Sequence, residues 1–184
     1  MEQKKERKWR EQKEDGYVLI VNEGGQTLGL AEGSRVGIIN IDGFAFKDFL
    51  GTGELAPYED WRLSYEERAK DLSQRLSIED MAGLMLYSAH QLIPAKGPRA
   101  AAFGGTYGGK AYEESGAAPW ELTDQQKEFI RKDRVRHVLV MGLESTETAV
   151  RWNNELQALA ESCGFGIPAN NSSDPRHGAG SSAE

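Results

Sequence analysis

Two short runs dense in β-branched residues stand near the start of the chain, Tyr17 to Asn22 (YVLIVN) and Val36 to Ile41 (VGIINI). That composition belongs to strands, and the Gly-rich connection between them predicts an antiparallel hairpin. Two strands alone are marginal in water, so the hairpin must pack on another element.

The spacing then becomes helical. Ser64 (SYEE), Ser77 (SIED) and Thr123 (TDQQ) each open a capping box, in which a hydroxyl accepts an orphan amide of the first turn and an acid or amide three residues on reciprocates. Behind Ser64, Tyr65, Ala69, Leu72 and Leu76 share one face; behind Ser77, Ile78, Met81, Ala82 and Met85 do the same. Both stripes are expected in the core.

From 94 to 120 the chain turns to Ala, Gly and Pro with no sustained period, which predicts a long loop. His137 to Met141 (HVLVM) reads as a strand buried on both faces. A helix from about Ser145 to Cys163 follows, with Ala149, Trp152, Leu156, Leu159, Ala160 and Cys163 in one stripe, and Ile167 to Asn171 reads as a second strand. Strand, helix and strand with short connections imply a parallel sheet. Two parallel strands do not complete such a sheet, so the rest of it is expected outside this chain.

Composition qualifies this picture. At 184 residues the chain can hold a sizeable core, yet its hydrophobic content is 39%, against a usual ~45–50% in a set that also counts Gly, and its 21 Gly are well above the usual ~7%. Much of it must be loop, or part of its core is missing. A net charge of −7 argues against a nucleic-acid phosphate track. The opening MEQKKERKWREQKED alternates charge without an apolar segment; a solvated, helical or frayed leader over 1–16, no membrane association and a cytoplasmic location are the expectations. Cys163 is the single cysteine, expected as a structural thiol, and His90, His137 and His177 lie too far apart for a sequence-local zinc signature.

Three stretches could carry chemistry. In FGGTYGGKA, Gly104 and Gly109-Lys110 have the spacing of a phosphate-cradling loop, but Ala111 stands where Ser or Thr would hold magnesium and no buried strand precedes it; a flexible loop is the simpler reading. From Asp48, Gly53 is sixth and Glu59 twelfth, the frame of a calcium loop. Leu50 and Ala56 supply no side-chain oxygen at the third and ninth positions, so Asp48, Thr52, Glu54 and Glu59 make a depleted ligand set, better read as a structural turn. Finally, Asp174 in SSDPRHG precedes a proline that biases it towards an extended strand end. Such ends gather functional residues in parallel α/β folds, though a loop cap fits equally.

The ordered combination of FKD…GELAPYEDWR, LMLYSAHQ (as a helix), RWNNELQ and DPRHG, from about Tyr17 to Gly178, resembles the N-terminal part of glycoside hydrolase family 3, the β-glucosidase and β-xylosidase family. The resemblance implies a retaining exo-acting β-glycosidase built from a (β/α)8-type barrel followed by an α/β sandwich. This chain would then hold a charged leader (1–16), a β-hairpin with the degenerate loop (17–62) and the start of the barrel domain (63–184), an α/β fold leading into the first βαβ unit of an incomplete barrel. It also implies that Asp174 hydrogen-bonds sugar hydroxyls in the subsite for the non-reducing end, with Arg176 and His177 in the same substrate-binding motif. The nucleophile and the acid/base are implied beyond Glu184, so no catalytic role falls to Glu144, Glu147 or Asp174. The implied partners are a glucoside or xyloside, the barrel remainder and the sandwich domain, with no cofactor. A non-catalytic module binding carbohydrate or calcium is the alternative.

Overall fold

The computed structural model describes residues 6–97, 100 and 104–173. The chain divides into two compact units, Met1–Leu76 with Gly164–Gly166, and Ser77–Cys163 with Ile167–Glu184.

In the first unit, β1 (Trp9–Glu14), β2 (Tyr17–Asn22) and β3 (Thr27–Ala31) form an antiparallel sheet in that order, and β4 (Gly37–Ile41) pairs with β5 (Phe44–Asp48). Both expected strands exist, but they do not pair with each other. Each turns back on its immediate neighbour through a two-residue Asp-Gly connection, Asp15-Gly16 and Asp42-Gly43. Asp42 and Gly43 both have positive φ, 56° and 91°, as a type I′ hairpin turn requires. Closing a two-residue loop costs less chain entropy than joining strands across a long connection. The leader reading is corrected by the same pairing: Trp9–Glu14 is an edge strand, its charged side chains mostly exposed, a composition that discourages edge-to-edge association.

Buried Asn22 ties β2 to β5. Its Oδ1 accepts the Ala45 N–H at 2.7 Å, and its Nδ2 donates to the carbonyls of Ala45 at 3.2 Å and Gln26 at 2.8 Å. Trp61 stacks on Phe46 at 5.1 Å between centroids and donates its indole N–H to the Ala45 carbonyl. Gly25 must be glycine here, because a Cβ would come within 2.4 Å of the Trp61 ring. After a 3-10 turn (Pro57–Glu59), α1 (Tyr65–Arg75) opens on the expected box: Ser64 Oγ accepts the Glu67 N–H and the Glu67 carboxylate accepts the Ser64 N–H. No residue of α1 is buried and Tyr65 is 79% exposed, so its stripe is not core.

The second unit contains α2 (Ile78–Leu84), β6 (Gln91–Ile93), α3 (Tyr112–Ser115), α4 (Asp124–Arg131), β7 (His137–Leu143), α5 (Thr146–Glu161) and β8 (Asn170–Ser173). The strands run parallel in the order β6-β7-β8. The strand-helix-strand expectation holds for β7, α5 and β8, with β8 starting at Asn170 rather than Ile167. Beyond that expectation, β6 adds a third parallel strand, and LMLYSAHQ is not a helix: Leu84 ends α2 and the chain extends to reach β6. The described residues form an open three-stranded sheet; a closed barrel is not among them.

One face of that sheet is core. Ile93, Val138 and Val140 are buried with Leu122 and Ile130 and with Trp152, Leu156, Leu159 and Ala160 of α5. His137, Leu139 and Met141 on the other face are only half-buried, so β7 is buried on one face, not both. The α2 stripe is also corrected: Ile78 is 81% and Met85 85% exposed. Inside the core, Gln126 Oε1 accepts from the Thr123 N–H and the Trp152 indole, while its Nε2 donates to Gln91 Oε1. Each buried polar atom there has a partner, without which its desolvation would be costly. Arg136 donates to the carbonyls of Ile167, Ile130 and Val135, and burial holds its pKa below the ordinary value.

Candidate functional site

In parallel α/β sheets, ligands bind outside the carboxyl ends of the strands, where side chains project from a fixed scaffold. Here that edge, among the described residues, lies where Ile93, Leu143 and Ser173 end their strands. Pro94 and Ala95 are buried behind β6, and the Ala95 N–H donates to the Tyr107 hydroxyl at 3.0 Å. Burial raises the pKa of that phenol above its ordinary value. The Glu144 N–H donates to the Ile93 carbonyl at 3.0 Å, carrying the β6–β7 ladder past the strand ends. Lys96 and Glu144 leave this edge side by side, Nζ to Oε1 at 2.6 Å. The carboxylate raises the pKa of the Lys96 ammonium above its ordinary value.

β8 delivers the chain to the same edge at Ser173. Asp174, Arg176 and His177, the substrate-binding residues implied by the resemblance, lie outside the described residues. Sequence reasoning missed Lys96, which stands in a stretch with no periodicity. Glu144 had a signal in its position just past an apolar strand, but nothing in the sequence indicated its partner.

The calcium-like frame has other work. Asp48 Oδ1 accepts the Thr52 N–H at 3.1 Å and Oδ2 the Gly53 N–H at 2.8 Å. Buried Glu59 accepts the Phe49 N–H at 2.8 Å and the Tyr58 hydroxyl at 3.2 Å on Oε1, and the Ala56 N–H at 3.0 Å on Oε2. Thr52 Oγ1 closes a local turn with the Glu54 main chain. These oxygens terminate the backbone of their own loop. Among the described residues, no group of three His, Cys, Asp or Glu side chains is placed to hold a metal ion.

The phosphate-loop spacing is also occupied from within. The N–H groups of Gly108 and Gly109 donate to the two carboxylate oxygens of Asp124, and Thr106 Oγ1 donates to Oδ2. A loop that cradles phosphate must aim such amides at the ligand. This one is pinned, which corrects the expectation of a flexible loop.

On the half-open face of the sheet, His137 stacks on Tyr87 at 5.4 Å, its Nδ1 lies 3.1 Å from Asn170 Nδ2, and the Tyr87 hydroxyl lies 2.9 Å from Ser172 Oγ. No helix among the described residues is long and apolar enough to cross a membrane.

The fold is therefore mixed α/β, with its polar rim at the carboxyl edge of a parallel sheet. Over 139 residues, 76% of its length, the chain is 33% identical to a periplasmic beta-glucosidase/beta-xylosidase of Dickeya chrysanthemi. It spans 19% of the length of that relative. No family model matches the chain. Over the matched stretch the chain is similar to a β-glucosidase/β-xylosidase, in keeping with the resemblance of its motifs to glycoside hydrolase family 3.

Proposed function

We propose that this chain supplies the N-terminal, sugar-binding part of a retaining exo-acting β-glycosidase that hydrolyses a β-glucoside or β-xyloside. The observation that carries the reading is the 139-residue match to a protein named as a beta-glucosidase/beta-xylosidase, together with the order of motifs ending in DPRHG. In this reading Asp174 accepts hydrogen bonds from hydroxyls of the terminal sugar, and Arg176 and His177 contribute to the same pocket.

Retaining hydrolysis requires two carboxyl groups about 5–5.5 Å apart, one a nucleophile and one an acid/base, flanking an oxocarbenium-like transition state. Of the carboxylates weighed above, Glu147 pairs with Arg151, Asp48 and Glu59 accept backbone amides, and Glu144 meets Lys96 through Oε1. The nucleophile is assigned to the barrel remainder, which would complete the sheet opened by β6, β7 and β8, and the acid/base to the α/β sandwich domain. The reaction draws on no cofactor.

The test is to compare this 184-residue chain with the longest polypeptide its coding frame yields, on chromogenic β-glucosides and β-xylosides. The longer protein is expected to release sugar with retained anomeric configuration and the chain alone to be inactive. A folded longer protein with no activity on any β-glycoside would refute the reading. The relative is named as periplasmic; cell fractionation decides whether the cytoplasmic expectation holds for this chain.

A further inference from the structure

We infer that Lys96 and Glu144 form a second point of contact for the sugar, a donor-acceptor rim that binds its hydroxyl groups beside the position to which β8 leads; the inference rests on the glycosidase reading. Three observations carry it. Both side chains leave the carboxyl edge of a parallel sheet from main chain that is held in place. The Lys96 N–H donates to the Pro94 carbonyl at 2.9 Å, and the Glu144 N–H donates to the Ile93 carbonyl at 3.0 Å. Beneath them, buried Ala95 is bonded to Tyr107, and a Cβ on Gly104 would come within 2.3 Å of the Ala95 Cβ, so the loop packs tightly under the rim.

Second, the pair is accessible. The Lys96 and Glu144 side chains are 47% and 38% exposed, at which exposure an ion pair adds little to stability. Third, its bonding capacity is unfilled. Lys96 meets only Oε1, which leaves Glu144 Oε2 without a hydrogen-bond partner among the described residues and leaves ammonium protons unused. Neighbouring acids differ: Glu113 accepts the Gly97 N–H and Glu147 is paired along its own helix with Arg151.

The chemistry fits a polyol. Each sugar hydroxyl offers one donor and two acceptor lone pairs, a carboxylate only accepts and an ammonium only donates. A carboxylate and an ammonium 2.6 Å apart therefore match two vicinal hydroxyls, with Glu144 Oε2 accepting from one and Lys96 donating to the other. Charge-assisted bonds of this kind are the stronger class.

The test is amide NMR of the full 184-residue chain titrated with methyl β-glucoside and methyl β-xyloside. Shifts are expected to centre on Lys96, Gly97, Glu144 and Ser145. Lys96→Met and Glu144→Gln should each weaken binding by about tenfold or more. Glu144→Gln keeps the shape of the side chain, and native amide dispersion verifies its fold. Shifts confined to other residues, variants that bind like the parent, or no shift with either glycoside would overturn the inference. Activity of the longer polypeptide on chromogenic glycosides is a separate readout, so the glycosidase reading can stand while this inference fails.

Discussion

Asp124 holds Gly109 in place: its Oδ2 accepts the Gly109 N–H at 2.8 Å, while Oδ1 accepts the neighbouring Gly108 N–H at 3.0 Å. A carboxylate at the first turn of a helix also meets the positive end of the helix dipole. The bonds from Gly109, with those from Thr106 and Gly108, hold the Asp124 carboxyl below its usual pKa. Asp124→Ala should therefore cost about 1–2 kcal/mol and speed hydrogen exchange at Gly108 and Gly109. Because the folded pKa is depressed, this stabilisation is complete above the unfolded value near ~3.9 and is lost as pH falls through the folded one. Exchange at the two glycines, compared between pH 6 and acid, should show the protection disappear only in acid.

Glu59 should prove a structural carboxylate. Glu59→Ala strands the N–H groups of Phe49 and Ala56, and each unsatisfied donor costs about 1–3 kcal/mol. The expected loss is about 2–4 kcal/mol by denaturant unfolding, with no calcium-dependent shift in Tm for the parent. A Tm that climbs with calcium would return Asp48 and Glu59 to a ligand set.

Serine substitutions at Ile78 and Met85 should each change stability by no more than about 0.5 kcal/mol. Both side chains are more than four-fifths exposed. Had the helical stripe been core, truncation there would cost about 2–5 kcal/mol, a difference that urea melts resolve easily.

The helix starts were legible because capping is local: Ser64, Ser77 and Thr123 carry their own partners three residues away, and all three boxes form. The unit of β7, α5 and β8 was legible from periodicity. Hairpin pairing was missed although its signal stood in the sequence, because the hydrophobic pattern shows which residues make strands while the Asp15-Gly16 and Asp42-Gly43 turns decide which strands meet. Burial failed for a related reason, since helical spacing marks an apolar face but not what covers it, as at Ile78 and Met85. β6, three residues long, carries too little pattern to be read. In the candidate site, Glu144 stood at a recognisable strand end. Lys96 reaches it across 48 residues of sequence, a contact only the folded sheet creates.

The proposed sugar contact of Asp174 is tested most directly by Asp174→Asn in the longest polypeptide the coding frame yields. The change keeps size and capping ability, since Asn caps about as well as Asp, but removes the charge that strengthens hydrogen bonds to sugar hydroxyls. The expected kcat/KM on the best chromogenic glycoside is lower by on the order of 10²–10³-fold, about 3–4 kcal/mol of transition-state stabilisation, with Tm unchanged. A variant with parental kcat/KM and parental Tm would make Asp174 a loop cap and contradict the claim.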